Sequence, residues 1–374
     1  MKHLTEERLD KIRGCMIGGA VGDALGYAIE FDDIQSVRKR YGQQGITRYL
    51  LNYDGVAEIS DDTQMSLFTA VGLLNSFTRH SMCSDTGKAI HDIAWAYCDW
   101  YETQTGEKKP HRKCWIRDIP ELNHRRAPGI TCLSALQCLR EGRDVQNNSK
   151  GCGGVMRVAP IALYPYPDRD GSAQDACEIA RLGAEAAEIT HQHPLGIYPA
   201  AMLVHLIYRI VNHPVDSAVL EDIIEEALTM NEPQNYTEAT AYMKDLVHQA
   251  IQLSKEDMDD VAAISKLGEG WTGEEAYAIA VYCVLKYRND FEKAIVAAVN
   301  HSGDSDSTGA IAGNIMGALS GRKAIPDYYI KNLELVSVIE EIAHDLYTGC
   351  IITNNAPADT PEKELWRKKY GENK

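Results

Sequence analysis

Ser60-Asp61-Asp62-Thr63-Gln64-Met65 stands directly before a run in which Met65, Phe68, Gly72 and Leu73 recur at helical spacing. A hydroxyl followed by two acids is how a helix starts. Ser60 can accept a hydrogen bond from a free N–H of the first turn, and Asp61 and Asp62 oppose the positive end of the helix dipole. The same grammar returns at Gly303-Asp304-Ser305-Asp306-Ser307-Thr308-Gly309, and Ile279, Tyr282, Cys283 and Lys286 share one helix face between the two. Working outward, helices are predicted over about 5–29, 86–103, 130–141, 174–190, 195–212, 216–230, 236–253, 273–287, 290–300, 307–320 and 333–348, divided by Pro, Gly or Asn/Asp clusters. Strand-like alternation is scarce, so the pattern predicts an all-α fold.

The 374 residues are 44% hydrophobic and 25% charged, the balance of a folded globular chain long enough for a large core. A net charge of −16 disfavours a surface built for nucleic acid or anionic lipid. The ten cysteines are scattered from Cys15 to Cys350 without a C-x-x-C pair, which predicts reduced thiols and a cytoplasmic location. No apolar leader opens the chain, and no run is expected to reach the ~18 residues that cross a bilayer.

No linker or fixed-period repeat divides the chain. One helical domain over 1–350 is expected, followed by a loosely attached charged tail over 351–374. The segments 32–59 and 104–128 are longer than usual helix connections and are expected to carry function or cover a cleft. The second holds Lys108, Lys109, Arg112, Lys113, Arg117, Arg125 and Arg126, either a solvated basic loop or a rim attracting an anionic substrate.

The two acidic segments exceed what helix capping requires. Together they offer four carboxylates and at least two hydroxyls, hard oxygen donors that suit magnesium or manganese rather than zinc. Without a cation, converging carboxylates repel one another and take up protons. The second segment is not an EF-hand: counted from Asp304, position six is Gly309, but position twelve is Ile315, where a bidentate Glu is needed.

Five segments, in this order, resemble the ADP-ribosylglycohydrolase family. They are Gly14-Cys15-Met16-Ile17-Gly18-Gly19-Ala20-Val21-Gly22-Asp23-Ala24-Leu25-Gly26 with Glu30-Phe31; Ser60-Asp61-Asp62-Thr63; Gly151-Cys152-Gly153-Gly154-Val155-Met156-Arg157; Thr190-His191; and Gly303-Asp304-Ser305-Asp306-Ser307. The resemblance covers roughly residues 10–325. It implies a large single-domain orthogonal helical bundle with a binuclear metal site at the base of an ADP-ribose cleft. The metals would be two Mg2+, with Mn2+ as a substitute, held by Ser60, Asp61, Asp62, Asp304, Asp306 and Ser307. The family more often has Thr at the positions of Ser60 and Ser307, and Gly-Gly-Asp where this chain reads Ser302-Gly303-Asp304. Both serines keep the hydroxyl oxygen.

The resemblance also implies substrate-binding roles for Asp23, Gly151, Cys152, Gly153, Gly154, Met156, His191 and Trp271, and a mobile acid at Glu30. Asp23 could equally brace a helix end. The glycine turn could admit a diphosphate or simply join two helices. No base that would activate Cys152 as a thiolate is evident. Trp271, in Leu267-Gly268-Glu269-Gly270-Trp271, could stack on adenine or belong to the core.

The activity implied is hydrolysis at the anomeric carbon of ADP-ribose linked to an acceptor, with ADP-ribose as product. Asp62 and Asp304 would handle the proton of the attacking water, and Glu30 would gate or position the acceptor. The acceptor is expected on a protein or small molecule, with an ADP-ribosylated base left open. Arginine is favoured because Ser149–Arg157 resembles the dinitrogen-reductase-directed branch, and because Glu30, Asp32, Asp33 and Glu58 would form an acidic rim. Two other readings stand beside this: a two-metal phosphoester or pyrophosphate hydrolase, and a protein that binds ADP-ribose or a partner without turnover.

Overall fold

Thr5 accepts from the Arg8 N–H and starts α1, Glu6–Tyr27. The computed structural model describes residues 5–83, 89–107, 114–166, 169–215, 217–230, 237–352 and 360–371. After α1 come α2 (Ile34–Tyr41), α3 (Asp61–Cys83), α4 (Ala89–Thr105), α5 (Ile130–Arg140), α6 (Ala173–Glu188), α7 (Pro194–Asn212) and α8 (Ser217–Leu228). The second half adds α9 (Thr237–Ser254), α10 (Asp260–Ile264), α11 (Gly273–Lys286), α12 (Phe291–Val299), α13 (Ser305–Ser320), α14 (Asp327–Ile330), α15 (Val336–Thr348) and α16 (Pro361–Trp366). Among the described residues no strand forms, and only two isolated bridges occur, Ala57 with Leu333 and Gly151 with Thr272. The expected all-α class is correct.

At the centre α1 and α13 lie antiparallel, and glycines set their separation. Gly14, Gly18, Gly22 and Gly26 recur every fourth residue and so fall on one face of α1. A Cβ on Gly14, Gly18 or Gly22 would fall on the carbonyl oxygen of Gly317, Gly313 or Gly309, and one on Gly26 on that of Ser305. The relation is reciprocal, since a Cβ on Gly309, Gly313 or Gly317 would strike the carbonyl of Gly22, Gly18 or Gly14. Two backbones in such contact leave no room for a methyl group. The register therefore carries the start of α13 to the end of α1, where Glu30 follows.

Four expectations are corrected here. Segment 32–59 contains α2, whose first turn is capped by Asp33 through the Ser36 N–H. α7 is 19 residues long and apolar enough to cross a membrane, which the sequence reading did not anticipate, but 89% of its apolar window is buried inside the fold. In the 104–128 segment, Lys108, Lys109, Arg112 and Lys113 lie outside the described residues. Arg117 is buried against Asp99 and Glu102, and Arg126 pairs with Glu58 and Glu334, so among the described members only Arg125 stays exposed. The three described members therefore form no anion-attracting rim.

The tail is the fourth. Over 360–371 it docks firmly: Trp366 is buried with its indole N–H on the Thr78 hydroxyl at 2.8 Å, and buried Tyr370 donates to Asp345 at 2.6 Å. Two large aromatic side chains hold the segment against α3 and α15 despite its charge.

Candidate functional site

A cleft of about 440 Å³ opens where α3 and α13 begin and α1 ends. The start of α3 supplies Asp61 and Asp62, the start of α13 supplies Asp304, Asp306 and Ser307, and the turn after α1 supplies Glu30 and Phe31. Asp23 locks the arrangement from beneath. Its carboxylate accepts from the Ser60 N–H at 3.0 Å and the Thr63 N–H at 3.1 Å, and also from the Thr63 hydroxyl, tying α3 to α1. Capping and cleft lining coexist in the same residues. Asp304 accepts the Ser307 N–H on one oxygen at 3.1 Å and the Cys152 thiol on the other at 2.7 Å, and Ser60 accepts from the Asp62 N–H at 3.2 Å.

The electrostatics are one-sided. Asp61, Asp62, Asp304 and Asp306 are all buried, and among the described residues no lysine or arginine lines the cleft. Burial, reinforced by the neighbouring carboxylates, drives Asp61, Asp62 and Asp306 well above the usual carboxylate range. The same causes push Glu30 up to about 8, and burial pushes Asp23 up to about 6 against the pull of its hydrogen bonds. Among the described residues, Asp62 Oδ2 and Glu30 Oε2 are buried without a hydrogen-bond partner. Such orphaned oxygens are costly unless a proton or a cation answers them.

The donor set, carboxylates and hydroxyls with a single thiol, fits a hard divalent cation. Among the described residues, however, no three acidic, His or Cys side chains already converge in the geometry of a metal grip. Several oxygens are turned to other donors: Asp61 Oδ2 accepts from the Gly129 N–H at 3.3 Å, and Asp304 serves α13 and Cys152. Asp61, Asp62, Asp304, Asp306 and Ser307 remain the side chains that could hold an ion.

Twelve of the expected site residues meet in this cleft: Glu30, Asp61, Asp62, Gly151, Cys152, Gly153, Met156, His191, Trp271, Asp304, Asp306 and Ser307. Three do not line it. Asp23 is fully buried and occupied in bracing α3, so its substrate role is replaced by a structural one. Gly154 packs on α7, where a Cβ would sit 2.6 Å from the Gly196 carbonyl oxygen. Ser60 is fully buried below the surface, with its hydroxyl on the Asp62 N–H.

Trp271 is not core. It is 39% exposed and lies nearly parallel to Phe31, with ring centroids 6.2 Å apart. Burial and Asp304 drive the Cys152 thiol well above its usual range, which disfavours a thiolate there.

Phe31 as a wall was not expected, nor were residues 129–132, which continue the lining beyond the 104–128 segment expected to cover a cleft. The stretch 127–132 crosses the mouth with Ala127 in the left-handed region at φ 49°, and the Asp61 N–H donates to the Arg126 carbonyl at 3.0 Å. Pro128-Gly129 before a predicted helix signalled a turn, but not where the turn would lie.

The pattern of the ADP-ribosylglycohydrolase family matches residues 4–355. The chain belongs to the ADP-ribosylglycohydrolase family. It is 26% identical over 344 residues to an uncharacterized protein of Archaeoglobus fulgidus, covering 90% of this chain and 96% of the other. It is 25% identical over 374 residues to the mouse ADP-ribosylhydrolase ARH3, covering 91% of each. The ADP-ribosyl-[dinitrogen reductase] glycohydrolase of Rhodospirillum rubrum is 25% identical over 338 residues, covering 87% of this chain and 91% of the other. A solved structure described as an ADP-ribosylglycohydrolase-related protein complex superposes with a TM-score of 0.58 at 21% identity, over 93% of this chain and all of the other. The fold is thus that of the family, and the family's enzymes are hydrolases.

Proposed function

We propose that this chain cleaves the glycosidic bond between ADP-ribose and an acceptor carried by a protein side chain or a small molecule, with two magnesium ions bound among the cleft acids. The observation that carries the reading is a buried wall of acids with orphaned oxygens and, among the described residues, no lysine or arginine facing it, in a chain of this family. Asp61, Asp62, Asp304, Asp306 and Ser307 would hold the ions, with Ser60 reached only if its hydroxyl leaves the Asp62 N–H. Manganese satisfies the same oxygens. Bound there, the ions would clamp ribose hydroxyls and lower the pKa of a water.

The chain's own groups do the rest. Asp62 Oδ2 has no other partner among the described residues and can take the water's proton, with Asp304 beside it. Glu30 stands on the lip where the acceptor leaves. Phe31 and Trp271 offer flat apolar faces to the base.

Arginine is the acceptor we favour, now on the Ser149–Arg157 stretch alone. The acidic rim adds little, because Asp32 pairs with Arg40 at 2.8 Å, Glu58 with Arg126 at 3.0 Å, and Asp33 caps α2. The test is a panel of ADP-ribosylated arginine, serine, DNA and O-acetyl-ADP-ribose with magnesium, scored for released ADP-ribose. Intact ADP-ribose from the wild type, and a loss of about 100-fold or more in Asp304→Ala, is the expected result. AMP plus ribose phosphate would show a pyrophosphate hydrolase instead, and tight ADP-ribose binding with no product a binding protein.

A further inference from the structure

Behind the cleft wall lies a guanidinium with no acid to answer it. Arg157 is fully buried, and among the described residues its partners are all neutral: the Ala186 carbonyl at 3.0 Å, the Thr190 hydroxyl at 2.6 Å, two sulfurs, and the Tyr97 ring at 4.2 Å. Its contact with Thr190 has only one possible direction. A guanidinium donates and never accepts, so the Thr190 oxygen must accept there.

The same oxygen lies 2.8 Å from Nδ1 of His191. Thr190 keeps one proton to donate, and two acceptors compete for it. One is the Cys132 sulfur, a weak acceptor that Arg157 already contacts at 3.4 Å. The other is the ring nitrogen. The nitrogen prevails, so Nδ1 accepts and the imidazole proton sits on Nε2.

Nε2 points at the glycine turn. It lies 3.3 Å from where a Cβ would stand on either Gly151 or Gly153, and both residues line the cleft. Their missing side chains are what leaves this N–H open to a ligand. Charging the ring is disfavoured as well: burial, then the Arg157 charge, holds His191 down at about 3.

We propose that Arg157 and Thr190 are positioning residues which fix the tautomer of His191, making it a permanently neutral Nε2–H donor to an acceptor oxygen of the ADP-ribosyl group rather than a proton-accepting base. The identity of the ligand rests on the function proposed above. The tautomer does not, and it can be read in the ligand-free protein.

Long-range 1H–15N correlation spectra of the full chain, labelled at histidine, test this directly, with the His191 ring assigned by its loss in His191→Gln. The expected pattern is a protonated Nε2 and an unprotonated Nδ1, unchanged from about pH 5 to about pH 8. A proton on Nδ1, or titration within that range, overturns the proposal. Thr190→Val, which removes the hydroxyl, is expected to mix the tautomers and to weaken ADP-ribose binding about tenfold by calorimetry, whereas Thr190→Ser stays within about twofold of wild type. Equal losses in both would reduce Thr190 to a packing role and also overturn it. Should Thr190→Val fail to fold, the wild-type spectrum still decides. The expected spectrum in a protein that does not bind ADP-ribose would sink the function and leave the relay standing.

Discussion

Glu30 is buried with one oxygen orphaned, and its carboxyl is pushed up to about 8, first by burial and then by Asp304, Asp61 and Asp23. A value raised in the folded state means that the stability it contributes is full below the unfolded value of 4.5 and is lost as pH rises through about 8. Glu30→Gln removes that dependence. In chelator, the variant should be more stable than wild type by about 1–2 kcal/mol near pH 8 and equal near pH 5, a figure reduced from the full shift for partial solvent screening. Denaturant melts at the two pH values measure it, and an equal difference at both would refute the account. The two Asp pairs were legible in sequence because carboxylates before helical runs state their own position, whereas Glu30 and His191 entered only through the family resemblance. Phe31 was not assigned a role, and Asp23 was left between touching substrate and bracing a helix end, of which the fold shows the bracing. Whether a residue faces a cleft or a neighbouring helix end depends on the packing of α1 on α3, which no local pattern contains.

At the scale of elements, nearly every long helix was readable from apolar period and capping residues, since those signals are local. α2 escaped because its eight residues carry only Ile34 and Val37 as buried positions, too few to define a period. The glycines of α1 were visible as a motif, yet nothing in the motif named α13 as their partner. Their consequence can be separated along the interface. Gly14→Ala strikes the Gly317 carbonyl at the end remote from the cleft, and Gly26→Ala strikes the Ser305 carbonyl beside Asp304 and Asp306. Both should lower stability by about 1–3 kcal/mol or more, because backbone cannot yield as a side chain does. Only Gly26→Ala should also weaken magnesium binding in calorimetry, by displacing the start of α13. If magnesium affinity fell equally in both variants, or in neither, the packing of α1 on α13 would not be what spaces the acids.

For the whole molecule, ions bound as proposed among the cleft acids would couple folding, protons and metal into one equilibrium. With chelator present, Glu30, Asp23, Asp61, Asp62 and Asp306 all sit above their unfolded values, so the folded chain holds more protons than the unfolded chain between their ordinary range and their raised one. Stability must then fall as pH rises from about 4.5 through about 8. A divalent cation answers the same oxygens without a proton. Its binding should release protons and add stability that grows with pH, about 2.7 kcal/mol once its concentration reaches 100 times Kd at a single site. Melting curves at pH 5 and pH 8, each with chelator and with saturating magnesium, are expected to show a small magnesium shift at the lower pH and one of several degrees at the higher. Calorimetry in buffers of different ionisation enthalpy should register the released protons. A magnesium shift that stayed the same at both pH values, with no proton release, would mean that the ions bind elsewhere and that the buried acids keep their protons in the working enzyme.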